Sequence, residues 1–242
     1  MSTPAWALIA EAELRMLTRS APAVVMGAVL PAALGLLIVW AERDTGQAGR
    51  GTATGLQLTV LLALTAYGAG TTTLVSRRTQ AVLKRLRTSG ASDAAVLTGI
   101  LLPSALLMVL QTVIVVLAGG GRLPGHAWAP AVAVVAGIVV AGLFAVVTSG
   151  WTASPELAQL TTSPLALAFL GGAFWAARTP AAEVEWWMFA LPGASVTQLA
   201  RLGWDEPGMT TADGLAATAV LLILVAAVTP FVTRAMRWDP RC

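Results

Sequence analysis

The sequence predicts an all-α integral membrane protein with six transmembrane helices. Of its 242 residues, 57% are hydrophobic and 11% are charged, and the mean hydropathy is +0.77. Soluble domains carry about 25% charged residues, so this composition excludes an ordinary soluble enzyme, a nucleic-acid-binding protein and a disordered regulator. Lys, Arg, Asp and Glu are absent from six stretches of 20 to 33 residues. Each stretch is long enough to span a membrane, because a helix needs about 20 apolar residues to cross the hydrocarbon core.

These stretches define a single transmembrane domain over residues 1–242. Helices are the expected spanning form because lipid offers backbone N–H and C=O groups no other partner. The first stretch is too long for a cleaved signal peptide, whose apolar core has about 7–15 residues. The predicted spans are about 20–41, 54–76, 93–118, 129–151, 157–177 and 213–234.

Residues 4–19 precede the first span and predict an amphipathic helix that lies in the membrane interface. Thr3 is its expected N-cap, with Pro4 at the first helical position. The expected apolar face consists of Trp6, Ala10, Leu14 and Leu17. Charged residues follow one another at i,i+4 spacing on another face, namely Glu11, Arg15 and Arg19.

Basic residues set the expected orientation. With six spans, both termini and the segment 77–93 lie on one side of the membrane, and that side carries ten of the fifteen basic residues. The positive-inside rule places this side in the cytoplasm. Five tryptophans near span ends are expected at the headgroup level, namely Trp40, Trp128, Trp151, Trp175 and Trp238. A composition rich in Ala, Gly and Val, in which Arg far outnumbers Lys, is typical of a high-GC bacterium and indicates a bacterial plasma membrane.

The most basic stretch of the chain lies between the second and third spans and predicts a short amphipathic helix at 78–90. Its apolar stripe consists of Val82, Leu83 and Leu86, surrounded by Lys84, Arg85 and Arg87. Gly90 is the expected stop residue, and Ser92 with Asp93 is expected to begin the next helix. Composition alone favours an anchor on anionic lipid over a helix that docks on another protein.

The longest external connection contains a predicted hairpin at 184–202, whose apolar stretch, Trp186–Ala200, has only 15 residues and is too short to cross the membrane. Pro192-Gly193 interrupts it, so we expect two short helices that dip into the membrane and return to the same side. A solvated acidic rim is expected around this hairpin, formed by Glu183, Glu185, Asp205 and Glu206. Its residues leave two roles open: a lid that covers the bundle, or a gate that closes an outward path.

The sequence lacks the residues of common catalytic sites. Its one histidine, His126, excludes an H-E-x-x-H metal site, and its one cysteine, Cys242, excludes a cysteine cluster. No phosphate-binding glycine loop precedes its only lysine, Lys84. We therefore expect no catalytic residue, metal or cofactor in this chain. The spans also lack the ionisable groups that ion-coupled transporters usually place at mid-membrane, so energy for transport would come from a partner.

Three local patterns resemble the membrane-spanning permease subunits of ABC transporters of the type-2 exporter class. Residues 83–89, with the sequence LKRLRTS, resemble the coupling segment of that family. Ser163-Pro164 followed by 169–174 is similar to its fifth-span pattern, and Leu191-Pro192 followed by Leu199 is similar to its hairpin element. The order of interfacial helix, spans, coupling helix and re-entrant hairpin also resembles the family from end to end.

The resemblance implies a multi-pass permease without ATPase activity that pairs with a second permease, identical or related, above two ABC ATPase subunits that bind ATP and Mg²⁺. It changes the favoured role of 78–90 to ATPase docking. The implied coupling residues are Val82, Leu83, Lys84, Arg85, Leu86 and Arg87, and the implied re-entrant gate residues are Trp186, Trp187, Leu191, Pro192 and Gly193. Spans without charge suit a hydrophobic or amphipathic cargo, such as a drug, an antibiotic, a lipid-like molecule or a peptide.

Two other functions remain open on the sequence. A non-transporting membrane scaffold or immunity protein fits uncharged aliphatic spans about as well as an exporter does. A membrane enzyme that acts on lipid is less favoured, because paired carboxylates or a histidine near the bilayer surface are missing. An ABC ATPase encoded beside this chain would favour export.

Overall fold

The computed structural model of the chain describes residues 4–45, 49–88, 90–118 and 123–236, and these residues form helices joined by short loops. Four residues named above lie outside the described ones: Thr3, Ser89, Trp238 and Cys242. The longer elements are α1 Ala5–Arg19, α2 Ala21–Val24, π1 Val25–Val29, α3 Leu30–Thr45, α4 Arg50–Leu61, π2 Leu62–Ala69, α5 Gly70–Thr79, α6 Val82–Thr88, α7 Asp93–Ala118, α8 Trp128–Trp151, α9 Ala158–Arg178, α10 Pro192–Gly203 and α11 Thr211–Ala235. Two 3-10 helices, Ala181–Glu183 and Trp186–Ala190, precede α10.

Within the described part of the chain, five helices are long and apolar enough to cross a membrane. They are Arg50–Thr79, Asp93–Ala118, Trp128–Trp151, Ala158–Arg178 and Thr211–Ala235. A further apolar helix, Val25–Ala41, has 17 residues. Its length of about 25 Å is near the lower limit for a membrane-spanning helix. The fold is therefore that of a multi-pass membrane protein.

The N-terminal helix α1 packs against the first half of α7. Its buried residues are Ile9, Ala10 and Glu13. Gly99 of α7 permits the close approach, because a Cβ atom at this position would lie 2.7 Å from Cβ of Ile9. Pro4 occupies the N-cap position, so α1 begins one residue later than expected. Of the expected apolar face, Ala10 is buried and Leu17 is half-buried, whereas Trp6 and Leu14 are exposed on the side that can contact lipid.

The two π-helical segments, π1 and π2, lie side by side and are joined by a buried polar cluster. Pro31 has no N–H group for the carbonyl of Gly27 four residues earlier. Thr65 Oγ1 lies 3.1 Å from that carbonyl oxygen and 2.9 Å from Oε1 of Gln111. The side-chain amide of Gln111 donates to the carbonyl of Ala28 at 2.7 Å. Polar side chains from two other helices thus lie at the carbonyl that lacks a proline donor and at the carbonyl of the next residue.

We define two ends of the bundle by their distinctive helices: the α6 end, where α5 and α8 terminate, and the α10 end, where α4 begins. Helix α10 is buried along its whole length between α4, α8, α9 and α11. It runs antiparallel to α4, because Gly51 packs against Arg201 and Gly55 packs against Thr197. Pro192 is nine residues before Arg201, so α10 begins about 13 Å inside the bundle.

We expect Gln111→Leu to destabilise the fold, because it leaves buried carbonyl groups of π1 without their donor. The expected loss is about 1–3 kcal/mol of the free energy of unfolding. The measurement is an unfolding titration with a denaturing detergent in mixed micelles. Thr112→Val is the matched control, because the Thr112 hydroxyl bonds only a carbonyl of its own helix, that of Met108. Equal losses in the two variants would contradict the proposed role of the cluster.

Candidate functional site

The segment between the second and third predicted spans contains the end of one helix and a separate two-turn helix. Helix α5 ends at Thr79, and Ala81 has a φ of +57°, so the chain turns before α6 begins. The predicted range 78–90 therefore includes the last residues of α5 as well as α6. Gly90 has a φ of +86°, in the left-handed conformation that commonly ends a helix. Ser92 Oγ accepts a hydrogen bond of 3.2 Å from the N–H of Ala95 in the first turn of α7.

The apolar side of α6 faces the bundle. Leu83 is 1% exposed and belongs to the hydrophobic core, and the half-buried Leu86 packs against that core. Val82 is also half-buried. The exposed residues are Lys84, Arg85 and Arg87. A protein that docks on α6 therefore meets its cationic side, while the apolar residues fix α6 to the rest of the chain.

Arg78, the first residue of the predicted range 78–90, is buried at the end of α5. It is 2% exposed, and Nη1 donates to the carbonyl of Ser149 at 2.5 Å. Nη2 donates to the carbonyl of Thr152, which directly follows α8. A cation at a helix C-terminus satisfies carbonyl groups that have no partner within the helix and complements the helix dipole. The Thr152 hydroxyl lies 2.8 Å from the Thr161 hydroxyl, so α5, α8 and α9 are joined at the α6 end.

Arg77 attaches α1 to the same end of α5. Nε and Nη2 of Arg77 donate to the two carboxylate oxygens of Glu13, at 2.7 and 2.9 Å. Nη1 donates to Oε1 of Gln80 at 3.0 Å. The side chain of Glu13 is 6% exposed and that of Arg77 is 15% exposed. Paired N–H···O bonds between a guanidinium and a carboxylate fix geometry as well as energy, so α1 and α5 are held in one arrangement.

Sequence reasoning missed both contacts for the same reason. Arg78 and Ser149 are 71 residues apart, and Arg77 and Glu13 are 64 apart. Hydrophobic periodicity reports only on neighbours along a helix. The usable signal was limited to the position of both arginines just after the predicted span 54–76, because cations are favoured near the C-terminus of a helix.

The predicted gate residues fall into two groups at the α10 end. Trp186 is exposed, and Trp187 is exposed with its ring against Trp175, at a centroid distance of 4.9 Å. Leu191 is half-buried, whereas Pro192 and Gly193 are buried at the start of α10. The close packing requires glycine: a Cβ atom at position 193 would lie 1.9 Å from the carbonyl oxygen of Phe169 in α9.

A buried ionic cluster closes the α10 end. Arg201 is 4% exposed, and its Nε donates to Thr52 Oγ1 at 2.8 Å and lies 3.3 Å from Oε2 of Glu206. Glu206 in turn accepts hydrogen bonds from the N–H and hydroxyl of Thr52, at 2.7 and 2.8 Å. Nη1 of Arg201 donates to Gln198 Oε1 and to the carbonyl of Thr179. The cluster joins α4, α10, the loop after α10 and the end of α9.

The prediction of a solvated acidic rim is wrong for Glu206. Its side chain is only 12% exposed, because pairing with Arg201 and Thr52 compensates the burial of its charge. Glu183, Glu185 and Asp205 are exposed. Oδ1 of Asp205 lies 2.8 Å from Nδ1 of His126 in the loop before α8.

We expect Arg78→Met to lower the free energy of unfolding by about 2–3 kcal/mol, because two buried carbonyl groups lose charged donors. Arg85→Met is the control, since Arg85 is exposed on the neighbouring helix and surface changes usually stay within about 0.5 kcal/mol. Both variants are compared by detergent-induced unfolding. If Arg78→Met is as stable as Arg85→Met, Arg78 does not stabilise the α6 end.

The sequence also matches a known protein family. A family model described as "ABC-2 family transporter protein" matches residues 43–231, which is more than half of the chain. The matched region contains α6, the contacts of Arg78, and the whole of α10 with its ionic cluster. Among curated proteins, none matches this sequence.

Proposed function

The chain belongs to the ABC-2 family of transporter proteins, and on that premise we propose that it is the permease subunit of an ATP-driven exporter. A separate ABC ATPase subunit binds and hydrolyses ATP with Mg²⁺, and a second permease, identical or related, completes the complex. Six helices span a bacterial plasma membrane, the first of them formed by α2, π1 and α3. Both termini and the α6 end lie in the cytoplasm, and the α10 end faces outward.

The position of α6 carries this proposal. Its apolar residues are packed into the core, and its exposed side presents Lys84, Arg85 and Arg87. The helix follows α5 directly, and α5 is bonded to α8 by Arg78 and to α1 by Arg77. Movement of an ATPase subunit against α6 would therefore displace several helices as one body, which is the rigid-body type of transition.

The α10 end supplies the second part of the proposal, an outward gate. Helix α10 fills the bundle from about mid-depth to the outer end, and the cluster around Arg201 holds it there. Trp186 and Trp187 lie at the outer surface of this gate, and Pro192-Gly193 lies at its inner end. Export requires α10 to separate from α4 or α9. Because the interiors of the spans lack charged residues, they favour a hydrophobic or amphipathic cargo.

The burial of Leu86 decides which substitution tests α6. Leu86→Asp would disturb packing against the core as well as any docking, so its effect would not identify a contact with the ATPase. Charge reversal on the exposed side changes only the surface that a partner meets. Lys84→Glu with Arg85→Glu is therefore the sharper variant.

We expect the Lys84→Glu/Arg85→Glu double variant to lose co-purification with the ABC ATPase subunit encoded beside this chain. The expected loss is about tenfold or more, because surface charges of the wrong sign cost several kcal/mol at an interface. The control is Arg50→Glu/Arg178→Glu, which makes the same charge change on exposed residues at the α10 end. ATP hydrolysis and ATP-dependent uptake of a fluorescent amphipath into inverted vesicles are measured on the same complexes.

Full co-purification and cargo-stimulated ATP hydrolysis in the α6 variant would overturn docking on α6. A wild-type complex that assembles but moves no amphipath with ATP would instead support the non-transporting scaffold. Loss of assembly in both double variants would show that the effect is not specific to α6.

A further inference from the structure

A pocket of about 240 Å³ opens between α1, α5 and α7 at the α6 end. The salt bridge between Glu13 and Arg77 lies at its mouth, together with Ser76. Thr72 and Thr73 line the wall that α5 contributes. Neither the coupling role of α6 nor the gate at α10 uses these hydroxyl groups.

The polarity of the pocket changes with depth. Along α5 and the end of π2 the lining residues run from Arg77 through Thr73 to Ala69, a distance of about 12 Å toward the middle of the bundle. The deep part is lined by Gly27 from π1 and by Leu107 and Ser104 from α7. The Ser104 hydroxyl donates to the carbonyl of Leu101 within its own helix at 2.8 Å, so its hydrogen is not directed into the pocket. With α1 in the membrane interface, as the sequence predicts, the polar mouth lies at headgroup level and the apolar floor lies within the hydrocarbon region. The same gradient describes an amphipathic lipid that stands in a bilayer leaflet.

The mouth carries no net charge. Arg77 neutralises Glu13 through two hydrogen bonds, so a charged ligand would be desolvated without a counter-ion. The hydroxyl groups of the pocket can both donate and accept hydrogen bonds. Thr72 donates to the carbonyl of Gly68 at 3.0 Å and keeps lone pairs for a donor, whereas Ser76 Oγ accepts from Gln80 at 3.2 Å and keeps its hydrogen.

The volume limits what the pocket can hold. Sites for drug-sized ligands measure about 300–1,000 Å³, and this pocket is smaller. It accommodates a head group and the first carbon atoms of a chain, while the rest of the chain stays in lipid. We propose that the pocket binds the uncharged, hydroxyl- or amide-bearing head of a lipid-like amphipath from the leaflet at the α6 end. That such an amphipath is the exported cargo rests on the proposed function; the binding itself does not.

The test is photolabelling of the full chain in phosphatidylcholine nanodiscs, without ATP or an ATPase subunit. The probe is a dodecyl glucoside with a diazirine on the first carbon atoms of its chain, and adducts are mapped by mass spectrometry. We expect labelling to saturate and to concentrate on α1, α5 and α7. Probes with the same chain and a sulfate or trimethylammonium head should label these helices about fivefold less, since they lack a counter-ion.

Thr72→Trp, which adds bulk to the wall that α5 contributes, should reduce glucoside labelling of these helices about fivefold or more. Thr229→Trp is the matched control: Thr229 is exposed, its hydroxyl donates to the carbonyl four residues earlier at 2.7 Å, and it lies at similar depth in α11. Even labelling of the exposed faces of α9 and α11 in the wild type would overturn the proposal. Undiminished labelling in Thr72→Trp would do the same.

Two further outcomes keep the test decisive. If Thr72→Trp fails to fold, competition by unlabelled dodecyl glucoside on the wild type decides: loss of labelling supports the site, and labelling that stays proportional to probe concentration contradicts it. Equal labelling by charged heads overturns the preference for an uncharged head. Because no ATPase is present, a negative result leaves the coupling role of α6 untouched, and a failure of coupling leaves the binding result standing.

Discussion

The structure depends on one constraint: in lipid, every buried backbone carbonyl and N–H group needs a partner within the protein. Prolines inside helices make the constraint visible, because each removes a donor. Pro31 offers no N–H to the carbonyl of Gly27, and Thr65 and Gln111 approach that carbonyl instead. Pro164 likewise offers none to the carbonyl of Leu160, which accepts a hydrogen bond from the Ser163 hydroxyl. Side chains also satisfy backbone groups at helix ends: Arg78 donates to carbonyls at the end of α8, and a capping box of Thr210 and Asp213 begins α11.

Polar contacts that satisfy backbone groups also determine which helices move together. Arg78 pairs with α8 because carbonyl groups there need donors, and as a consequence α5, which leads into α6, is bonded to α8. Arg77 and Glu13 extend the same unit to α1. The Thr152 and Thr161 hydroxyls add α9, so in the proposed exporter the part that meets the ATPase is a block of α1, α5, α8 and α9 with a small cationic projection, α6.

Charge and hydropathy predicted much of this fold because both report where lipid excludes ionised groups. Helices α7 and α8 begin and end within one residue of the predicted ranges 93–118 and 129–151. The stripe of Val82, Leu83 and Leu86 was visible too, but its partner was not, since an apolar face packs equally well against a core or another protein. The ionic cluster at α10 was beyond reach for a different reason: Thr52 and Glu206 are 154 residues apart, and a single sequence contains no pairing information at that distance.

One helix connects the two candidate sites. The continuous stretch Arg50–Thr79 has 30 residues and is therefore about 45 Å long, which exceeds the thickness of the hydrocarbon core. At one end it leads directly into α6, and at the other Thr52 bonds both Arg201 and Glu206 beside α10. The π2 segment lies between these ends, next to π1, and π-helical segments are common at functional positions in helices. In the proposed exporter, a push on α6 would reach α10 through this single covalent element, which both candidate sites contact.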